Sequence, residues 1–175
     1  MEDRVAFGGG SYLMCLGLLL AARGMDFLST WIATPNLVLE ANPIARKLGW
    51  KPGALINIAL CAVFALWPLP AIVIATTSIL VAARNFQSAW LMRAMGEEDY
   101  RSFMAGQMLR TPFSLYLACL LLQTILYLAV GLALVFFGED RLVPFAIGMG
   151  MAAYAIAVAF YSLLAARRQR HPPAS

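Results

Sequence analysis

"TPFSLYLACLLLQTILYLAVGLALVFFGEDR" occupies residues 111–141. Between Pro112 and Phe137 it contains no Asp, Glu, Lys or Arg. A bilayer core of about 30 Å takes roughly 20 helical residues, so this run is long enough to cross one. Thr111 suits an N-cap and Pro112 the first helical turn, where no backbone donor is lost. Gly138-Glu139-Asp140-Arg141 then reads as a short turn.

The rest of the chain repeats this pattern. Of 175 residues, 62% are hydrophobic and 13% charged, with mean hydropathy +0.76. A soluble domain is about half apolar and about a quarter charged. So few polar residues do not cover the surface of a water-soluble domain of this length. The reading is an all-α, polytopic integral membrane protein of the inner membrane.

Five transmembrane helices are expected. The first starts near Gly10, and its lower end falls between Arg23 and Ile32. The second follows Lys51-Pro52 and ends at Trp67. The third starts at Pro70, past the tight turn Trp67-Pro68-Leu69-Pro70, and reaches Met95. The fourth is the run described above, and the fifth covers Leu142 to Ala166. The domain reading is a single transmembrane unit at 1–166, then a disordered basic cytoplasmic tail at 167–175. Residues 97–108 are expected to form a short interfacial amphipathic helix: Gly96 ends the helix before it, Glu97, Glu98 and Asp99 suit a first turn, and Tyr100, Phe103, Met104 and Met108 share one face.

Five crossings place Arg46, Lys47, Lys51, Arg84, Arg93, Arg101, Arg110, Arg167, Arg168 and Arg170 on one side, against only Arg4 and Arg141 on the other. The positive-inside rule then puts the N-terminus outside and the C-terminus in the cytoplasm. Met1-Glu2-Asp3-Arg4 lacks a signal peptide's basic region, so the N-terminus is expected to be retained. The net charge of +4 follows from these flanking residues, not from a basic face on a soluble domain, which argues against nucleic acid as a partner. Cys15, Cys61 and Cys119 lie in apolar runs without C-x-x-C spacing and read as small hydrophobes. The single histidine, His171, lies in the tail. That leaves no expected metal site, no cofactor and no histidine-activated nucleophile.

The segment 26–46, "DFLSTWIATPNLVLEANPIAR", breaks the apolar pattern. A charge inside a span costs about 2.5–3.5 kcal/mol on the insertion scale and tends to have a partner or a task. At about 1.5 Å per residue, Arg23, Asp26, Asn57 and Arg84 all fall roughly 20–24 Å below the outer surface. Thr30 lies one turn beyond Asp26, and Asn85 adjoins Arg84. Pro35 stops the first helix, and Pro43 biases Asn42 away from helical angles, so the loop can fold back and bring Glu40. The candidate cluster is Asp26, Thr30, Glu40, Asn42, Pro43, Asn57, Arg84 and Asn85. The plainer alternative is that Asp26 pairs with Arg84 or Arg23 to tolerate burial, while Asn42 caps the next helix.

Asp26 and Thr30 as D-x-x-x-T, followed by Glu40, Asn42 and Pro43 as E-x-N-P, resemble a group of uncharacterised small prokaryotic multi-pass membrane proteins. Those proteins carry a similar pattern on the first helix and the loop after it. The resemblance covers about residues 20–85 and implies no activity.

Two classes of function follow. The favoured one is a non-enzymatic accessory, assembly or lipid-headgroup-binding protein with a polar recess near the cytoplasmic face. Its partners would be the bilayer and an anionic or zwitterionic lipid headgroup. Gly148, Ala152, Ala155, Ala159, Ser162 and Ala166 form a small-residue stripe, through which a second copy or another membrane protein would pack if the stripe is not used within the chain. The alternative is a small transporter or intramembrane enzyme using Asp26 and Glu40 as proton or cation groups.

Overall fold

The computed structural model describes residues 4–40, 42–138 and 141–170, with side chains to Arg167. The described residues form seven helices: α1 (Gly10–Ala33), α2 (Pro43–Leu48), α3 (Trp50–Phe64), α4 (Pro68–Met95), α5 (Glu97–Arg110), α6 (Phe113–Phe137) and α7 (Leu142–Arg170). Four of them, α1, α4, α6 and α7, are long and apolar enough to cross a membrane, whereas α3 has 15 residues. The sequence reading of five full-length spans is met in four.

The boundaries follow from local chemistry. Nothing interrupts α1 before Pro35, so it continues past Arg23 and Asp26 to Ala33. α3 is confined between Gly49, at φ +72°, and the turn before Pro68. Its first turn contains Pro52, where no intrahelical donor is lost. Gly96, at φ +83°, ends α4 and opens α5, a conformation that glycine adopts at no steric cost. α6 starts one residue later than expected, with Pro112 as the cap. α7 runs through Arg170 instead of stopping at Ala166: Arg and Gln are good helix formers, and no breaker precedes Pro172. The 167–170 part of the expected disordered tail is therefore helical. Residues 171–175, including His171, lie outside the described residues, as do Glu139 and Asp140 of the expected turn.

The contacts order the helices as a row, α1, α4, α7, α6, with α3 laid against α1 and α4. α1 and α4 run parallel, since Arg23 meets Ser78 and Ser29 meets Asn85 in the same order along both, and Thr34, just past α1, meets Glu97, just past α4. α3 runs antiparallel to α1. The Tyr12 hydroxyl donates to the Ala62 carbonyl, and Gly53 lies against Phe27. One end of the bundle joins the N-terminus to the α3–α4 turn, through Val5 N–H to the Leu66 carbonyl and Arg4 over the Trp67 ring. The other end, here the loop end, gathers 34–52 and α5.

The α4 side of the α1–α4 seam is built from small residues. Ala71, Ala75, Ser78, Ala82 and Ala89 are buried on α4, and Tyr12, Leu19, Ala22, Ser29 and Ala33 on α1. Steps of three, four and seven keep one face toward the partner. Small side chains let two backbones approach where lipid supplies no hydrophobic drive. The α6–α7 seam is tighter: a Cβ on Gly131 would lie 2.8 Å from the Gly148 carbonyl oxygen.

Candidate functional site

Arg23 is the hub of the polar cluster. Its guanidinium donates from Nε and Nη2 to Asn57 Oδ1 at 2.8 and 2.5 Å. Nη1 donates to Asp26 Oδ2 at 2.8 Å and to Ser78 Oγ at 3.2 Å. One side chain thus ties α1 to both α3 and α4. Asn57 is oriented for this role by its own amide, which donates to the Gly53 carbonyl at 2.8 Å. Asp26 side-chain exposure is 16% and that of Arg23 is 29%, so the pair is largely removed from solvent, and charge-assisted bonds are strong in such surroundings.

Of the two partners that depth allows, Asp26 therefore pairs with Arg23 and not with Arg84. Depth counts position along a helix but not rotation around it. Ser78, Ala82 and Asn85 face α1; Arg84 precedes Asn85 by one residue, about 100° round the helix, and reaches α7 instead. Its Nη2 donates to Ser162 Oγ at 3.4 Å.

One turn toward the loop end, the Asn85 amide nitrogen reaches Ser29 Oγ at 3.3 Å and Thr30 Oγ1 at 3.4 Å. Ser29 is fully buried and donates to the Asp26 carbonyl at 2.8 Å. Both Asn85 bonds are long, and a bond at that distance is weak. Glu40 lies on the loop that joins α1 to α2. Its Oε1 accepts from Asn42 N–H at 2.8 Å, and Asn42 Oδ1 accepts from Ile44 N–H at 3.0 Å. Pro43 takes the first turn of α2. Glu40, Asn42 and Pro43 thus make a helix cap beside the cluster.

The loop is held by a residue that the sequence reading used only for its helix dipole. Glu97 Oε2 accepts from the Thr34 hydroxyl at 2.6 Å and from Val38 N–H at 3.0 Å. Its Oε1 accepts from Asn36 N–H at 2.8 Å and from the Asn36 amide at 2.9 Å. Leu37, at φ +59°, lies in the middle of this wrap, an uncommon conformation for a residue with a side chain. Burial works to raise the Glu97 pKa, but the four bonds outweigh it and hold the carboxyl below its usual value. Trp50 Nε1 donates to the Pro35 carbonyl at 2.8 Å, which fastens α3 to the same loop.

Of the predicted residues, Asp26 and Asn57 meet through Arg23, Thr30 and Asn85 meet one turn away, and Glu40, Asn42 and Pro43 border them. Arg84 is separate. Arg23, Ser29, Thr34, Ser78 and Glu97 complete the arrangement. Ser29, Thr34 and Ser78 carry no distinguishing spacing, whereas Glu97 directly after a helix-ending glycine offered a signal. Gly148 and Ala155 of the small-residue stripe are engaged within the chain, the first against Gly131 and the second with 2% exposure. No protein-family model, curated protein or solved structure matches the chain.

Proposed function

We propose that this chain is an inner-membrane protein of five crossings, N-terminus outside and C-terminus in the cytoplasm, with a non-enzymatic accessory, assembly or headgroup-binding role. The observation that carries the topology is that α1 and α4 lie parallel side by side. A chain joining two parallel neighbours has to return across the same depth between them, and α3 is that return. Its 15 residues reach about 22 Å at 1.5 Å each, and its turns cover the remainder.

The polar recess at the loop end is the proposed binding site for an anionic or zwitterionic lipid headgroup. Asn85 divides one amide between two long contacts with Ser29 and Thr30, so a ligand oxygen replaces them at little cost. Arg23, Arg46 and Lys47 outnumber Asp26 and Glu40 near the recess. The test compares wild type with Glu40→Gln and Asp26→Asn for thermal stability and co-purified lipid. Glu40→Gln keeps an acceptor for Asn42 and is expected to stay folded while losing lipid; Asp26→Asn is expected to lose both. Equal unfolding by the two variants would make the 34–42 loop a structural cap only. A second reading, proton or cation handling by Asp26 and Glu40, rests on these being the two acids of α1 and the loop after it. Ion flux in proteoliposomes that Glu40→Gln abolishes would select it.

A further inference from the structure

α4 carries an arginine on each of two faces, and the chain treats them differently. On the α1 side Arg23 reaches across to Ser78 and is provided with one carboxylate and an amide oxygen. On the α7 side Arg84 meets hydroxyls instead of a carboxylate, with Nη2 donating to Ser162 Oγ at 3.4 Å and the Tyr154 hydroxyl within reach. Arg84 Nη1 is buried, and among the described residues it has no hydrogen-bond partner. Among the described residues no carboxylate lies within 4 Å of it. The surrounding groups are hydroxyls. Tyr154, with 1% exposure, has its hydroxyl near Arg84, and the Tyr116 hydroxyl donates to the Ser162 carbonyl at 3.2 Å.

A guanidinium under a membrane surface with no carboxylate among the described residues to balance it is costly, and intramembrane charges generally have a partner or a water-filled path. The three charged side chains inside the long apolar helices above the loop end are Arg23, Asp26 and Arg84, which leaves one positive charge uncompensated. We infer that Arg84, with Tyr116, Tyr154 and Ser162, forms an oxyanion site that takes a singly charged phosphodiester from the cytoplasmic side.

The chemistry fits on three counts. A guanidinium presents parallel N–H donors that match two oxygens of a phosphate. The Ser162 and Tyr154 hydroxyls can donate to the remaining oxygens, while Tyr116, whose proton goes to the Ser162 carbonyl, positions that residue. Depth also agrees: Trp90, 69% exposed, is the type of residue that marks the headgroup level, and Arg84 lies six residues below it, roughly 9 Å. A long arginine side chain spans most of that distance toward the interface. The depth rests on the membrane reading above, but the site lies on the opposite face of α4 from the recess, so each can fail without the other. A lipid phosphate and free inorganic phosphate share this chemistry, and the experiment separates them.

The full chain is purified in maltoside as wild type, Arg84→Gln and Arg84→Lys. Thermal unfolding and bound phosphorus are then measured with phosphatidylglycerol, phosphatidylcholine, diacylglycerol or inorganic phosphate added. Expected for wild type is stabilisation by both phospholipids but not by diacylglycerol, with phosphorus retained through gel filtration. Arg84→Gln loses the stabilisation and the phosphorus. Arg84→Lys, which keeps the charge but not the fork, binds about tenfold more weakly, and it carries the test if Arg84→Gln does not fold. Stabilisation by inorganic phosphate alone, lost in Arg84→Gln, identifies a free oxyanion at the same site. The proposal is overturned if Arg84→Gln or Arg84→Lys responds to every additive as wild type does, or if diacylglycerol stabilises as well as the phospholipids.

Discussion

Arg23 and Arg84 have similar depths and opposite circumstances, and each bears on what single substitutions do. Removing one partner of a buried ion pair strands the other, at a cost of about 3–5 kcal/mol. Because Arg23 keeps 29% side-chain exposure, the expected loss for Asp26→Asn or Arg23→Leu lies at the lower end, about 3 kcal/mol. The double variant is expected to recover much of it, measured as folding free energy in a detergent titration. A matching cycle on Asp26 and Arg84 is expected to be additive, as sites without shared partners are; strong coupling there would contradict the pairing described above. Glu97 gives a pH dependence. Its folded pKa lies below the usual 4.5, so its contribution is fully present above 4.5 and is lost as pH falls through the lower folded value. Proteolysis of the 34–40 loop is expected to accelerate below pH 4.5 in wild type. In Glu97→Gln it is expected to be fast at neutral pH and to change little with acid.

At the scale of helices, small residues determine which faces meet. The stripe on α7 was legible from its regular steps of four and three, and Gly148 indeed lies against α6. The α4 face of Ala71, Ala75, Ser78, Ala82 and Ala89 follows the same spacing but was hidden by the many other small residues around it. Composition and charge-free runs locate the four long helices and their approximate ends, because length and apolarity are what make a helix able to cross a membrane. They do not fix rotation, which depends on the neighbour. This is why depth leaves Asp26 with two candidate partners, Arg84 and Arg23, and why spacing does not point to the partners of Glu97, which are backbone and side-chain donors of a loop about 60 residues earlier. Ala155→Leu is expected to reduce folded yield by several-fold, since the site has 2% exposure and overpacking costs about 1–3 kcal/mol. Ala153→Leu, on the exposed side of α7, is expected to match wild type. Gly148→Ala should be at least as damaging as Ala155→Leu: its Cβ would meet the Val135 side chain at 2.9 Å and crowd the Gly131 carbonyl.

For the whole molecule the open choice is between four crossings and five, and it turns on α3. A 15-residue helix is short for a bilayer core of about 30 Å, which by itself favours a re-entrant segment. Two facts point the other way. The ends of α3 are fastened to opposite ends of α1, at Trp50 with Pro35 and at Leu66 with Val5. The parallel α1 and α4 also require a return between them. Mismatch of this size is tolerated by local thinning of the bilayer, at fractions of a kcal/mol per Å. Charge agrees: leaving out Arg84, which lies within α4, nine basic residues fall on one side and two on the other only when α3 crosses. In a cysteine-free background, Lys51→Cys is therefore expected to react with an impermeant maleimide only from the cytoplasm, and Trp67→Cys only from outside. A fluorescent protein fused after residue 175 should fold in the cytoplasm, while alkaline phosphatase fused at position 140 should be active. Labelling of both cysteines from one side would make α3 re-entrant. It would also put α1 and α4 antiparallel across the membrane, against the order in which Arg23, Ser29 and Thr34 meet Ser78, Asn85 and Glu97.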